Sequence, residues 1–221
     1  MTRAVRLIAL PLVLALCGPA AAVSKSKTHK TTTTTAASPV ASAGDPVKAV
    51  EAFHAALLDS MKRAKELGVQ GRYNRLAPAV DAAFDFPAMT QAIIGPDWTN
   101  MSAADRKNII DAFRRTTIAD YARNFDGYNG EQFVTNPQVQ DRGAEKVVST
   151  QMMRPGNAAI PFVYRLDNDH GGWRIDDIFV NGYVSQVATK RSEYAATLKS
   201  GGAASLAQKL NALADANLKG G

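Results

Sequence analysis

Residues 171–194, GGWRIDDIFVNGYVSQVATKRSEY, decide the fold of this chain. A glycine turn leads into residues 173–180, where apolar and polar side chains alternate as they do in a β-strand. Asn181 and Gly182 end that strand, and the spacing of the apolar residues after them predicts an amphipathic helix. A strand that is followed at once by such a helix predicts a sheet covered by helices.

Alternation along this strand predicts which side chains share a face. One face carries Trp173, Ile175, Asp177 and Phe179, and the other carries Arg174, Asp176, Ile178 and Val180. Asp177 is therefore expected to lie between large apolar neighbours on the covered face. A carboxyl group in such a setting could act as a general acid or base, which makes Asp177 the best catalytic candidate in the chain. The more ordinary interpretation, which we favour, is a buried aspartate that accepts hydrogen bonds from the backbone or from an arginine.

The first half of the chain predicts helices. Apolar residues three or four positions apart predict four of them, at 47–67, 73–83, 87–94 and from Ser102 to about residue 125. Asp45 and Pro46 predict the start of the first helix. Ser102 and Asp105 form a capping pattern at the start of the fourth helix. His54 lies one residue off the apolar stripe of the first helix and is expected to be solvated or to flank that stripe.

The second half predicts a sheet and two closing helices. Alternating runs at 132–135, 146–153 and 160–166 precede the strand at 173–180. Their connectors are short and contain turn residues, so the four strands are expected to form an antiparallel meander. Two helices, at about 184–198 and 203–218 with Gly201 and Gly202 between them, close the chain. This order predicts an α+β domain with a four-stranded antiparallel sheet wrapped by about six or seven helices.

The first 46 residues are expected to lie outside the folded domain. Residues 1–22 have basic residues, an apolar run and a small-residue ending at Ala22, as in a cleaved signal peptide. Residues 23–46 have no large apolar residue beyond valine and no periodicity, which predicts a disordered linker. The folded domain is therefore expected at 47–221. Cys17 raises a lipoprotein alternative, although bulky Leu16 precedes it, and cleavage after Ala22 would leave no cysteine.

The charge of the chain argues against a nucleic-acid partner. The chain has 26 Lys and Arg and 20 Asp and Glu, a formal net charge of +6. Residues 1–46 hold five basic residues and one acidic residue, so residues 47–221 carry 21 basic and 19 acidic residues. A nucleic-acid-binding domain needs a clustered basic face, which this nearly balanced composition does not indicate.

No motif for a metal or a cofactor stands out. His54 and His170 have no second ligand at a metal-binding spacing, and His29 lies in the linker. Residues 167–171, DNDHG, resemble the start of a calcium loop, but the position of its required glutamate is occupied by Ile178. The chain also has no glycine-rich phosphate loop, dinucleotide fingerprint or nucleophile elbow. We therefore expect neither a metal nor a cofactor.

Bulky apolar residues recur on the predicted inner surfaces of the sheet and the helices. They are Phe84, Phe86, Met89, Ile93, Phe113, Tyr121, Met152, Phe162, Tyr164, Ile175 and Phe179. One interpretation is a packed core. The other is a long internal pocket lined by all of these residues except Phe84, with methionines that adapt to a varied guest. The sequence leaves both interpretations open.

The carboxyl-terminal residues resemble those of a known family. Trp173, Asp177, Gly182, the run 190–194 (KRSEY), Gly201 and Leu206 resemble the end of the MlaC or toluene-tolerance family. Its members are periplasmic lipid-binding proteins of bacterial ABC-type lipid transport systems. Ser185 is a departure, because MlaC-like members have this serine one residue sooner after the glycine.

Earlier residues resemble the hopanoid-biosynthesis-associated branch of that family, HpnM. They are the runs 76–78 (LAP) and 84–89 (FDFPAM), followed by Gly95, Trp98, Tyr121, Ala122 and Phe125. The likeness extends over about residues 47–218.

The resemblance implies a nuclear-transport-factor-like sheet wrapped by helices that enclose the acyl chains of a lipid. The lipid contacts themselves are predicted from the facing of the side chains, which assigns them to the ten pocket residues. Trp173, Asp177 and Gly182 are expected to have structural or polar roles, and the resemblance implies that no residue is catalytic. The implied ligand is a phospholipid or a hopanoid-type lipid. The implied partners are an inner-membrane ABC transporter complex and membranes that donate or accept lipid, including the outer membrane. A monomer in the periplasm is expected.

Two other functions remain open at this point. The first is an enzyme on the same scaffold, with Asp177 as the acid or base and with Tyr164 or His54 assisting. The second is a periplasmic adaptor that binds a protein partner through the helix around Lys190 and Arg191. Both differ from the carrier in needing no space for a lipid.

Overall fold

The computed structural model describes residues 44–169 and 171–219 as one antiparallel sheet packed against five α-helices. The helices are α1 (Pro46–Lys62), α2 (Ala64–Ala83), α3 (Phe86–Ile94), α4 (Ala103–Asn124) and α5 (Gln186–Lys219), with a 3₁₀ helix at Gly95–Asn100. The strands are β1 (Gln132–Thr135), β2 (Gln140–Arg142), β3 (Glu145–Arg154), β4 (Asn157–Asp167), β5 (Arg174–Val180) and β6 (Val184–Ser185). The predicted signal peptide, residues 23–43 of the predicted linker and His170 lie outside the described residues.

The predicted helix starts are confirmed by their caps. The Asp45 side chain accepts a hydrogen bond of 2.9 Å from the backbone N–H of Val47, and Pro46 occupies the first turn of α1. At α4, the Ser102 hydroxyl accepts from the backbone N–H of Asp105 at 3.1 Å and donates to the Asp105 carboxylate at 2.7 Å. Both helices therefore begin where side-chain acceptors satisfy backbone donors that have no partner within the helix.

The predicted helix count differs from the observed one because α2 and α5 each consist of two helical segments that meet at a glycine kink. Gly68 has φ 59° and ψ 179°, so it interrupts α2 at the predicted helix stop, whereas α1 ends earlier than predicted, at Lys62. Gly202 has φ 64° and ψ −162°, which are not helical, so the two predicted closing helices meet at a kink in α5 where the break is predicted. A positive φ is accessible to glycine, and the helix resumes directly after each of these residues.

The sheet has six strands among the described residues, two more than predicted. All pairs are antiparallel, in the order β1-β3-β4-β5-β6, and β2 pairs with the other half of the β3 edge. The strands β2 and β6 have three and two residues. Such short strands contain too few residues for alternation to be recognised, so only their neighbours in the sheet define them.

A β-bulge in β5 changes the predicted facing of its side chains. Arg165 pairs with Asp177 and Leu166 pairs with Ile175, so Asp176 is an extra residue in β5. Beyond the bulge, Ile178 pairs with Tyr164 and Phe179 pairs with Val163. Paired residues share a face, so the prediction that Ile175, Asp177 and Phe179 lie on one face is wrong. Ile175 lies on the inner face, towards the helices, whereas Asp177 and Phe179 lie on the outer face.

The core lies between the inner face of the sheet and the helices. A single cluster of buried apolar residues joins α1, α2, α3, α4 and α5 to β3, β4 and β5. At its centre, the backbone N–H of Asp85 donates to the carbonyl of Ile175 at 2.8 Å, which ties the α2–α3 junction to the sheet. None of the described helices is long and apolar enough to cross a membrane.

Candidate functional site: the apolar interior and its polar groups

Eight of the ten predicted pocket residues are buried in the core cluster. They are Phe86, Met89, Ile93, Phe113, Met152, Phe162, Tyr164 and Ile175, none of which is more than 9% exposed. Tyr121 is partly buried and packs against the same cluster. Phe179 does not belong to it, because the bulge places Phe179 on the outer face. The structure therefore brings nine of the ten residues together.

Aromatic rings form the middle of this interior. The Phe84 ring lies edge-on to Phe53 at a centroid distance of 5.1 Å and stacks with Phe86 at 5.8 Å. Phe86 in turn contacts Phe113 at 5.9 Å, and Tyr121 lies 5.3 Å from Phe53. These contacts agree with the packed-core interpretation for the rings. The pocket remains a prediction, and a lipid tail in this region would have to displace some of these rings.

His54 is buried within this apolar region, contrary to the prediction that it is solvated or flanking. Its side chain is 3% exposed, and its Nε2 lies 2.8 Å from the hydroxyl of Tyr164. The imidazole stacks on Phe133 with a centroid distance of 3.9 Å. Burial lowers the pKa of His54 to about 3, so the imidazole is neutral at physiological pH. Sequence periodicity missed this residue because the strands that cover it are distant in the sequence.

The two tyrosines of the interior are also held in their neutral form. Burial raises the pKa of Tyr164, and the nearby Tyr121 raises it further, while the Thr150 hydroxyl opposes this shift. Burial likewise raises the pKa of Tyr121, and the charge of Asp120 adds to the effect. An interior with neutral imidazole and phenol groups suits an uncharged guest better than an ionised one.

Asp177 connects the sheet to the start of α5. Its carboxylate accepts hydrogen bonds from the Ser185 hydroxyl at 2.6 Å and from the backbone N–H groups of Ile178 and Val187 at 2.8 and 3.1 Å. The Ser185 hydroxyl also accepts from the backbone N–H of Ala188 at 3.0 Å. Asp177 therefore supplies acceptors at a helix N-terminus, where negative charge is favourable.

Removing the Asp177 carboxylate is expected to destabilise the protein. In Asp177→Ala, three donors lose their acceptor, two of them buried, so we expect the free energy of unfolding to fall by about 2–4 kcal/mol. Urea unfolding followed by circular dichroism would measure this. Asp167→Ala on the neighbouring strand is the control, since this aspartate is partly buried and accepts one weak hydrogen bond of 3.4 Å. Equal stability of the two variants would contradict the structural role of Asp177.

Gly182 and Trp173, the other two residues with a predicted structural or polar role, lie beyond the two ends of β5. Gly182 has φ 82° and follows Asn181, the one non-glycine residue of the described chain with positive φ, at 57°. These values agree with a tight turn between β5 and β6, which leaves Tyr183 76% exposed. Trp173 is partly buried, and the ammonium group of Lys146 lies 5.8 Å from its ring centroid.

The groups of the enzyme alternative do not come together. Asp177 lies on the outer face of the sheet, whereas Tyr164 and His54 meet on the inner face. A nucleophile or proton donor must lie within hydrogen-bond reach of its partner. The described residues also contain no group of three or more His, Cys, Asp or Glu side chains that could hold a metal.

The two cations of the adaptor alternative are engaged within the chain. Arg191 donates from Nε to the carbonyl of Ala92 at 2.9 Å, which ties α5 to α3. Lys190 forms an ion pair with Glu193 at 2.8 Å. Arg191 thus has a structural role in joining two helices.

An open cleft of about 510 Å³ lies on the helical side, away from the sheet. It is lined by Tyr73, Asn108, Asp111, Ala112, Arg114, Arg115, Ala204, Ala207 and Asn211. Arg114 and Arg115 form ion pairs of 2.5 Å with Asp81 and Asp215. Since both guanidinium groups are already paired, this polar cleft is a poor site for either a lipid tail or a free anion.

Comparison with known proteins gives a matching family model and a similar fold. The family model described as MlaC protein matches residues 51–212. A crystal structure of a phospholipid-binding protein from Ralstonia solanacearum, in complex with a phospholipid, superposes with a TM-score of 0.68 at 20% sequence identity. The match covers 79% of this chain and 99% of the Ralstonia chain, and at this identity it shows a shared fold. No curated protein sequence matches the chain.

Proposed function

Because the chain belongs to the MlaC family, we propose that it is a carrier that holds the apolar tails of a lipid between its sheet and its helices. The observation that carries this proposal is the continuous interior of rings and methionines between the two layers. The similar Ralstonia protein is a phospholipid-binding protein whose structure contains a phospholipid. These findings favour a binding protein over an enzyme.

The energetics of lipid transfer explain why such a carrier is needed. Exposing hydrocarbon to water costs about 0.8 kcal/mol per methylene, so a two-chain lipid with about 30 methylenes faces roughly 24 kcal/mol. Unaided crossing of an aqueous space is therefore very slow. A protein that surrounds the tails with apolar side chains removes most of this barrier, and it needs no catalytic group to do so.

The buried methionines are suited to an interior that changes shape. Met61, Met89 and Met152 are at most 4% exposed, and they come from a helix, a second helix and the sheet. Methionine has three rotatable bonds and a polarisable sulfur, so it can repack around a guest at low cost. We infer that acyl chains enter by displacing flexible side chains and rings of the interior.

The cellular setting of this proposal follows from the family. We propose that the protein is exported to the periplasm and shuttles a phospholipid or a hopanoid-type lipid between an inner-membrane ABC transporter complex and other membranes, including the outer membrane. A monomeric carrier would expose a single loading site to each partner in turn. The hopanoid alternative is supported by the residues that resemble the HpnM branch.

Two phenylalanines on opposite faces of the sheet test where the lipid binds. Phe162 pairs with Val180 and lies on the inner face, whereas Phe179 pairs with Val163 and lies on the outer face. We expect Phe162→Asn to lower the amount of bound phospholipid at least severalfold, because a polar amide in an apolar site must be desolvated. Phe179→Asn is the matched control and is expected to retain the wild-type amount.

Native mass spectrometry of protein purified from cells would count bound lipid, and circular dichroism on the same preparations would show that both variants are folded. Retention that is equal in the two folded variants would contradict binding at the inner face. Wild-type protein that is empty as purified and that also ignores added phospholipid would contradict the carrier proposal itself.

A further inference from the structure

The interior contains buried polar atoms that the protein itself leaves without partners. Nδ1 of His54 accepts and donates no hydrogen bond among the described residues, although His54 is 3% exposed. The hydroxyl of Thr150, which is also 3% exposed, has no hydrogen-bond partner of good geometry in this part of the chain. A buried polar group without a partner costs about 1–3 kcal/mol, so such groups require an explanation.

The two groups belong to one small polar cluster. The Tyr164 hydroxyl lies 2.8 Å from Nε2 of His54, and the Thr150 hydroxyl is near enough to that phenol to influence its pKa. Phe162, which pairs with Thr150, and Phe133, which stacks on the imidazole, provide the apolar surroundings. The cluster thus joins α1 to β1, β3 and β4 and lies on the same inner face as the proposed lipid site.

The hydrogen-bonding capacity of this cluster does not depend on the tautomer of His54. If the phenol of Tyr164 donates to Nε2, then Nδ1 carries a proton and is a free donor. If Nε2 donates to the phenol, then Nδ1 is a free acceptor and the phenol proton is available to another group. In both cases the imidazole has one nitrogen, Nδ1, without a hydrogen-bond partner among the described residues.

The chemistry of the cluster selects the kind of group that can occupy it. Among the described residues, no Lys or Arg side chain hydrogen-bonds to the cluster, and the imidazole stays neutral, so these groups do not offset the charge of a buried anion. A neutral carbonyl can accept from a protonated Nδ1, and a neutral hydroxyl can pair with Nδ1 in either tautomer. A plain hydrocarbon would leave the polar atoms as they are.

We propose that His54, Thr150 and Tyr164 form an internal site for one uncharged oxygen group of the lipid guest, an ester carbonyl or a hydroxyl. This inference rests on the proposed carrier function and adds to it a chemical preference. The site would fix how far a lipid enters, because its polar group would stop at the cluster while its hydrocarbon fills the apolar interior. The lipid would thus be selected by an uncharged group as well as by its tails.

Pairs of lipids that differ in a single polar group test this site. Delipidated full-length protein is offered two pairs of ligands. The first pair is diester- and diether-linked phosphatidylethanolamine of equal chain length, and the second is 1-hexadecanol and hexadecane. Native mass spectrometry counts the bound species. We expect wild-type protein to prefer the member with the ester carbonyl or the hydroxyl, in at least one pair, by roughly two- to tenfold, the range of one net hydrogen bond. Preference for the diester assigns a carbonyl ligand, and preference for the alcohol assigns a hydroxyl.

Two variants and one spectrum separate this site from general apolar binding. His54→Phe keeps a ring against Phe133 and removes both nitrogens, and Thr150→Val keeps the side-chain shape, so each is expected to reduce the preference. Phe179→Asn on the outer face is expected to keep it. In the wild-type protein, the preferred ligand should also shift the ¹⁵N resonance of His54 Nδ1, a measurement that stands even if His54→Phe does not fold.

The outcomes distinguish this inference from the carrier proposal. The protein could take up both members of each pair without preference, with an unchanged Nδ1 resonance. This result would mean that the cluster holds a buried water only. It would overturn the inference and leave the carrier proposal intact. Failure of wild-type protein to take up any phospholipid would overturn both.

Discussion

Phe84→Ala is expected to lower the free energy of unfolding by about 3–5 kcal/mol, the largest effect we expect for a single truncation in this protein. The Phe84 side chain is 2% exposed and contacts the rings of Phe53, Phe86 and Tyr121. Its backbone forms a bridge with Ile175 of β5 at the α2–α3 junction. Truncation would therefore open a cavity where two helices meet the sheet, and neighbouring backbone has little freedom to close it.

Tyr183→Ala provides the control for this prediction. Tyr183 is also a large ring, but it is 76% exposed at the β5–β6 turn, so its loss is expected to change stability by no more than about 0.5 kcal/mol. Urea denaturation midpoints with an unchanged slope would measure both variants. A Phe84→Ala effect as small as that of Tyr183→Ala would show that the interior is loosely packed around Phe84.

Acidification is expected to produce the second large effect, through His54. The folded protein holds this imidazole neutral with a pKa of about 3, whereas an exposed histidine has a pKa of 6.5. Between these values the unfolded chain binds the proton and the folded protein does not, so the stability from the neutral imidazole is complete above 6.5 and declines as the pH falls. For one such group, the free energy of unfolding falls by about 1.4 kcal/mol for each pH unit between these two values.

The contribution of His54 can be isolated by comparing pH profiles. Burial raises the pKa values of Asp120 and Asp176, and these carboxyl groups act in the opposite direction, because a raised carboxyl pKa favours the folded state at low pH. The free energy of unfolding is therefore measured between pH 4 and 7 for wild-type protein and His54→Phe, and the two curves are subtracted. A difference that does not change with pH would show that His54 is accessible to protons in the folded protein.

The arrangement of the chain into helices, then strands, then a helix could be predicted well from local patterns. Asp45 and Ser102 cap helices as their positions indicated, because a cap depends on residues within one helical turn. The apolar residues of β3 and β4 face the core as alternation predicts, since these strands are regular over the paired residues around Tyr164. The short strands β2 and β6 gave no comparable signal.

The candidate site was predictable in composition and less so in geometry. Size and alternation predict an inward position for Phe162 and Tyr164, and both lie on the inner face. Alternation predicts the same face for Phe179, but this residue lies on the opposite face, because the extra residue Asp176 reverses the alternation in β5. A bulge is produced by pairing with the neighbouring strand, so the sequence of β5 alone does not reveal it.

The sequence by itself determined the α+β class, the helix caps and the supply of rings and methionines, because these depend on short-range spacing and residue type. The tertiary structure alone decided that Asp177 anchors α5 and that His54 meets Tyr164, residues 110 positions apart, inside the core. The physical reason is that burial and hydrogen-bond partners are set by elements distant in the chain. A histidine next to an apolar stripe is solvated or enclosed according to what packs over it, and here β1, β3 and β4 enclose it.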